Sequence, residues 1–443
     1  MSIPLDRLYH YIHDIAESVR GDYVLIYRFF PHGSKNIEDL NILNELSGNY
    51  VEPTSVMYPQ IFCNDQEPLC YDFYQSSNVN RDTEWISRHI NGIDMSFVQP
   101  QNLRVYPDNI YDKCILLHSE KQSTDVGKYQ DSHFIPVYYW AHAVIAHDWF
   151  RFAKHVDIQP GKIQKQFLIY NRAWAGTREY RLKFVELLQQ HQLVDDCQTS
   201  FNPTDPEHNV HYTAYEFKNI SFKPVHIQPT LPTTPAPSHS SADFTTEDYA
   251  NTKFEVVLET LFDDDRIQLT EKILRPIACG HPFILTSTPG SLAYLRDYGF
   301  KTFNGIIDES YDTEPDPVTR LNLIIAAMKT ITEWTPEQQL LNQFKIKEIT
   351  NYNKQHFFSE QFFNLIVNEL RCNLKSAFAT LEDTNTSKTF IESRKKSNIL
   401  LAASDPIRYK IKQTQRKSSK QQLIPVLLKA RSYYNQYSKS LRK

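Results

Sequence analysis

The sequence predicts an α/β protein built as two domains on open parallel sheets. Three observations carry this. Apolar runs of strand length end in polar clusters and give way to helix-period segments, repeatedly along the chain. At 443 residues the chain exceeds what one ordinary hydrophobic core encloses. Its 41% hydrophobic and 23% charged residues are the proportions of a globular protein and exclude a disordered or fibrous one.

The elements follow in order. "DYVLIYRFF" (22–30) reads as a buried strand, and "PHGSK" (31–35) as the turn that leaves it. "YPQIFCND" (58–65) and "KCILLHSE" (113–120) read as two more strands, each with a polar end, "HFIPVYYW" (133–140) as a fourth, and "AHAVIAHDWFRFAKH" (141–155) has helical periodicity. These make a first domain over 1–158. A second, over 159–350, opens with the strand "QKQFLIYNRAW" and the helix "TREYRLKFVELLQQHQL", whose Tyr180, Phe184, Leu187 and Leu188 lie near one face. An irregular stretch follows, and 224–247 is a surface loop rich in Pro, Thr and Ser. "KFEVVLET" (253–260) is the next strand, and "QLTEKILRPIACGHPFILTSTPGSLAYL" (268–295) supplies a helix, a strand and a second helix start. Residues 336–374 read as largely helical. The segment 351–387 is expected to pack back on the domains, and 388–443 is a basic tail.

Charge is uneven. Residues 388–443 hold 15 Lys/Arg against Glu392 and Asp405, leaving 33 basic and 50 acidic residues in the rest. Such a tail suits phosphate contacts on a nucleic acid, an anionic membrane face, or the acidic body of the protein itself. No pair of the six cysteines has C-x-x-C spacing, which points to reduced, buried thiols and away from a zinc site. The N-terminus lacks a signal-type apolar stretch and no run of about 18 apolar residues occurs, so the expected location is cytoplasmic, peripheral to a membrane at most.

The chemistry gathers where strands end, since open α/β sheets bind ligands at their C-terminal tips. Thr270 suits an N-cap and Glu271 the positive end of a helix dipole, while Gly280 and Pro282 stop the helix. Lys272 fits that structural account less well, because a cation in the first turn opposes the dipole. A ligand phosphate beside the helix N-terminus would use it. Glu259 ends a strand just upstream. Asp263 and Asp265 have the spacing of a metal-holding pair but read as a solvated turn.

The block "FEVVLETLFDDDRIQLTEKILRPIACGHPFIL" (254–285) resembles the donor-binding signature of the α1,3-fucosyltransferase-type glycosyltransferases: an apolar strand ending in Glu, a short loop, Thr-Glu-Lys on a helix, then Gly/Pro and a second apolar strand. The chain also resembles bacteriophage proteins over much of its length. The family resemblance implies a GT-B fold, two facing Rossmann-like domains, and inverting, metal-independent transfer from a nucleotide-diphosphate sugar of the GDP-fucose type. The acceptor would be a glycan or a modified DNA base. No cofactor is expected beyond the nucleotide sugar. "YNRAWAGTREYR" fits the family's Asn and Arg pattern, with Asn171 in the donor site and Arg178 or Arg181 on the diphosphate. By the same resemblance Glu271 holds the ribose, Lys272 the diphosphate, and Glu259 orients the sugar or supports Lys272. Glu67, in "NDQEPL", or Glu120, in "LLHSEK", would be the general base, with Asp65 and His118 weaker candidates. A noncatalytic interaction protein on a degenerate transferase fold is the alternative.

Overall fold

The computed structural model describes residues 114–122, 134–158, 161–199, 201–227 and 244–385, with short pieces within 12–19 and at 27–28 and 60–61. The chain is mixed α/β and divides into two compact units. One holds Glu120–Gln122 and His142–Ile366 with the first three residues, and the other holds Pro4–Ser119, Ser123–Ala141 and Val367–Lys443.

The second of these units contains a four-stranded sheet in the order β1 (Tyr27–Arg28), β2 (Gln60–Ile61), β3 (Cys114–His118), β4 (Phe134–Tyr138). An all-parallel sheet was expected here. Only β3 and β4 run parallel, while β1–β2 and β2–β3 are antiparallel. An apolar run with a polar tip records that a strand is buried but not its direction, which the connection decides. The end of β3 is tied down locally: Tyr139 N donates to His118 O at 2.9 Å, and Ala141 N to Ser119 Oγ at 3.1 Å.

The unit built on 142–366 contains the parallel sheet that positions the candidate site. Its strands are β5 (Lys165–Ile169), β6 (Cys197–Thr199), β9 (Thr252–Leu258) and β10 (Phe283–Thr286), in the order β10-β9-β5-β6 with every pairing parallel. Both faces are covered. From Phe254 to Leu258 and through all of β10, successive residues are buried, which is why these strands read as continuous apolar runs and not as alternating ones. The order reverses between β5 and β9. Such a switch point opens a crevice beyond the C-terminal ends of the two strands.

Helices pack around the sheet. Between α1 (Ala141–Trp149) and β5 lies a short 3-10 turn, so the segment 141–155 is helical in two pieces. α2 (Tyr180–Gln190) follows β5 and buries Tyr180, Phe184, Leu187 and Leu188, the predicted face, together with Leu182 and Val185. The stretch read as irregular holds an antiparallel hairpin, β7 (Thr204–Asp205) and β8 (Val210–His211), whose Val210 packs on a cluster around Trp174, Leu182 and Phe201. Described parts of the predicted loop include α3 (Thr246–Asn251), capped by Thr245, while 228–243 lie outside the described residues.

α4 (Glu271–Cys279) has Thr270 as its N-cap and left-handed Gly280, φ +70°, as its C-cap, both as the local sequence requires. Pro276 sits inside it and leaves the Lys272 carbonyl without its usual helical donor. After β10 come α5 (Ser291–Asp297), α6 (Pro317–Thr332), α7 (Pro336–Phe357) and α8 (Glu360–Asn385). α7 opens with a capping box between Thr335 and Gln338, and its Asn353 pairs with both backbone groups of Lys301 at 2.8 Å. Among the described residues no helix is long and apolar enough to cross a membrane.

Candidate functional site: the tips of β5 and β9

Two connections leave the switch point side by side: 170–179 after β5 and 259–270 after β9. Arg181 joins them. It is 3% exposed, and its guanidinium donates to Ala173 O at 2.6 Å in the first connection and to Leu258 O at 2.7 Å and Glu259 O at 3.1 Å at the second. Tyr180 Oη adds a bond to Glu259 O at 2.7 Å. Burial lowers the pKa of Arg181, but an arginine keeps its charge. Of the two arginines proposed for a diphosphate, Arg181 is therefore a clamp on backbone carbonyls, closed to a ligand.

Arg178 is the accessible one. It lies in a single 3-10 turn ahead of α2, with its side chain 19% exposed. Its Nη2 pairs with Glu207, and the same carboxylate pairs with Arg172, which is 44% exposed. Neither Arg172 nor Glu207 stood out in the sequence. Asn171 is buried beside them at 3% exposure.

The loop that carries these arginines is shaped by Asp205. Its Oδ2 accepts from Trp174 N at 2.7 Å and Ala175 N at 2.9 Å, and its Oδ1 from Glu207 N and His208 N at 2.9 Å each. Burial opposes its charge, yet these backbone donors, with the His208 side chain, hold its carboxyl well below the usual carboxylate range. Gly176 completes the turn with φ +72° and donates its N–H to Tyr215 Oη at 2.9 Å.

The second connection is a chain of buried polar groups. Glu259 is fully buried; its Oε1 accepts from Thr270 N at 3.0 Å and its Oε2 from Thr270 Oγ1 at 2.6 Å. It was expected to orient a sugar or support Lys272. In the structure it fixes the cap, because the donors of a buried threonine need an acceptor. Thr270 Oγ1 in turn accepts from Lys272 N at 3.3 Å and Lys272 Nζ at 3.2 Å. The Lys272 ammonium, 20% exposed, meets Glu271 Oε1 at 2.9 Å, and Glu271 Oε2 lies 3.2 Å from His142 Nδ1. The partner that makes a first-turn lysine tolerable is thus its own neighbour, Glu271.

Glu120 is sealed from solvent. An antiparallel bridge between Lys121 and Ile267, with N–H···O distances of 3.0 and 2.9 Å, brings it against Arg266. The ion pair is 3.2 Å long, with side chains 3% and 0% exposed, so an acceptor hydroxyl has no path to the carboxylate. Arg266 also binds Asp264, while Asp263 and Asp265 are exposed, as a solvated turn requires. Among the described residues no group of His, Cys, Asp and Glu is arranged to hold a metal ion. Cys197 and Cys279 are buried thiols as expected, but Cys372 is exposed on α8. His118 is 5% exposed and stacks edge-on against Tyr138. Glu67, Asp65 and the tail 388–443 lie outside the described residues.

No family model, no curated protein and no solved structure matches this chain.

Proposed function

We propose that the protein is a glycosyltransferase that moves a sugar from a nucleotide-diphosphate donor to an acceptor hydroxyl. One observation carries the reading: an accessible arginine, Arg178, and a part-exposed lysine, Lys272, leave adjacent strand tips at the switch point of a parallel sheet. That is the pairing a departing nucleoside diphosphate needs. The acceptor oxygen attacks the anomeric carbon, the bond to the diphosphate breaks, and two cations neutralise the charge that develops on it. The acceptor proton passes to a carboxylate, for which the family resemblance offers Glu67. Attack opposite the leaving group gives inversion without a metal.

In this reading Lys272 and Arg178 hold the diphosphate. Glu271 meets the ribose by exchanging its His142 contact, and Glu259, Asn171 and Thr270 shape the wall from within. The resemblance of 254–285 to fucosyltransferases supports a GDP-fucose-like donor, a GT-B arrangement and a glycan or modified-base acceptor. The basic segment 388–443 suits an acceptor on nucleic acid or at an anionic membrane.

Thermal denaturation with a panel of nucleoside diphosphates tests the donor site. Saturation with the right one should raise Tm by several degrees, about 2.7 kcal/mol at a hundredfold excess over Kd. Lys272→Ala should abolish the shift. No shift with any nucleotide would reject the transferase reading in favour of a noncatalytic fold.

A further inference from the structure

Arg172 and Arg178 present two positive charges to one carboxylate, each guanidinium donating an Nη2 to a different oxygen of Glu207. A carboxylate bridging two arginines occupies the place that the oxygens of a phosphate group would fill. We propose that Arg172 and Arg178 form an anion-binding site, that Glu207 is its resident and displaceable occupant, and that this competition restricts the site to ligands carrying at least two negative charges. The inference rests on the donor reading above and adds a second arginine and a selectivity determinant to it.

Three features support displacement. All three side chains reach solvent, at 44%, 19% and 32% exposure for Arg172, Arg178 and Glu207, and ion pairs at such exposure are weak. The turn that carries Glu207 does not depend on its side chain. Asp205 holds that turn through the backbone N–H groups of Glu207 and His208, so the Glu207 carboxylate can swing away while the hairpin stays folded. Asp205 also holds the arginine loop through Trp174 N and Ala175 N. One buried carboxylate therefore sets the loop and its competitor in register, and neither has to reorganise when a ligand enters.

Charge explains the selectivity. With Glu207 in place the three side chains keep one net positive charge, offset in part by the ionised Asp205 carboxylate that holds the same loop. A singly charged ligand only replaces an intramolecular partner already present at high effective concentration. A diphosphate brings more charge and enough oxygens to engage both guanidinium groups bidentately.

The test is calorimetric titration of the full chain with inorganic phosphate, inorganic pyrophosphate and nucleoside diphosphates at fixed ionic strength and slightly acid pH, where inorganic phosphate is mainly a monoanion and pyrophosphate a dianion. Wild type should bind pyrophosphate and discriminate against phosphate. Glu207→Gln should bind both about tenfold more tightly and narrow the ratio between them, while Arg172→Ala and Arg178→Ala should each weaken pyrophosphate about tenfold. Glu207→Asp, which keeps the charge, should stay near wild type and controls for damage to the hairpin. Unchanged or weaker pyrophosphate binding by Glu207→Gln overturns displacement, and so does an Arg172→Ala variant that binds normally. The two readings fail separately. Pyrophosphate binding with this pattern but no nucleotide binding sinks the transferase and keeps the anion site. Nucleotide binding that needs Arg178 but is indifferent to Glu207 does the reverse.

Discussion

The connection after β5 and the connection after β9 leave the same sheet edge, yet they treat charge in opposite ways. In the first, Arg172, Arg178 and Glu207 form a part-exposed cluster of ion pairs. In the second, Glu259 and Thr270 are buried and mutually satisfied at the cap of α4, and the Lys272 ammonium beside them is part-exposed. The difference separates two jobs. Buried polar groups define where a strand tip lies, because each lost partner costs about 1–3 kcal/mol. Part-exposed ions contribute little to the fold and remain open to a ligand. Arg178 and Arg181 show the contrast within one turn of chain.

Substituting those two arginines breaks the comparison most directly. Arg181→Ala leaves the carbonyls of Ala173, Leu258 and Glu259 short of a donor, and should cost about 3 kcal/mol or more in urea denaturation. Arg178→Ala should stay within about 1 kcal/mol of wild type, while binding pyrophosphate about tenfold more weakly. If the two variants lose stability equally, the division between clamp and ligand fails.

Asp205→Asn comes next, at about 2 kcal/mol, since one amide oxygen keeps only two of the four backbone bonds and its NH2 faces the other two donors. The pH dependence has a definite sign. A carboxyl held below its unfolded value contributes its stability above the ordinary pKa of about 3.9, and loses it as pH falls through the lower folded value. Denaturation midpoints followed below pH 4 should therefore fall more steeply in wild type than in Asp205→Asn. Parallel curves would mean that Asp205 is not the anchor of the loop.

Gly176→Ala should have the smallest effect. A Cβ there meets nothing within 4 Å, so only the left-handed backbone, φ +72°, opposes the change, at about 1 kcal/mol. A much larger loss would show that the loop tolerates no adjustment and so could not admit a ligand.

Local chemistry was legible where neighbours in sequence are neighbours in space. The apolar runs became β5, β9 and β10, and Thr270 and Gly280 became the caps of α4, because strand burial and helix capping are decided within a few residues. The partner of Lys272 was adjacent to it all along, in Glu271. What failed was every question about a distant partner. Glu120 looked available until its cation proved to be Arg266, 146 residues on. Arg181 looked like a phosphate ligand until it met the carbonyls at the end of β9. Arg172 and Glu207 went unnoticed because the hairpin that joins them lies in a stretch without periodicity.

By itself the sequence determined that this protein has a buried sheet with polar strand tips, and which tips carry arginine, lysine and glutamate. Apolar periodicity and capping chemistry are properties of a short segment, and they survive without knowledge of the rest. Tertiary structure alone decided the strand directions and the switch point, and which of those charges are sealed and which reach solvent. A charge is sealed or exposed according to what packs over it, and here the covering groups come from segments 30 to 146 residues away.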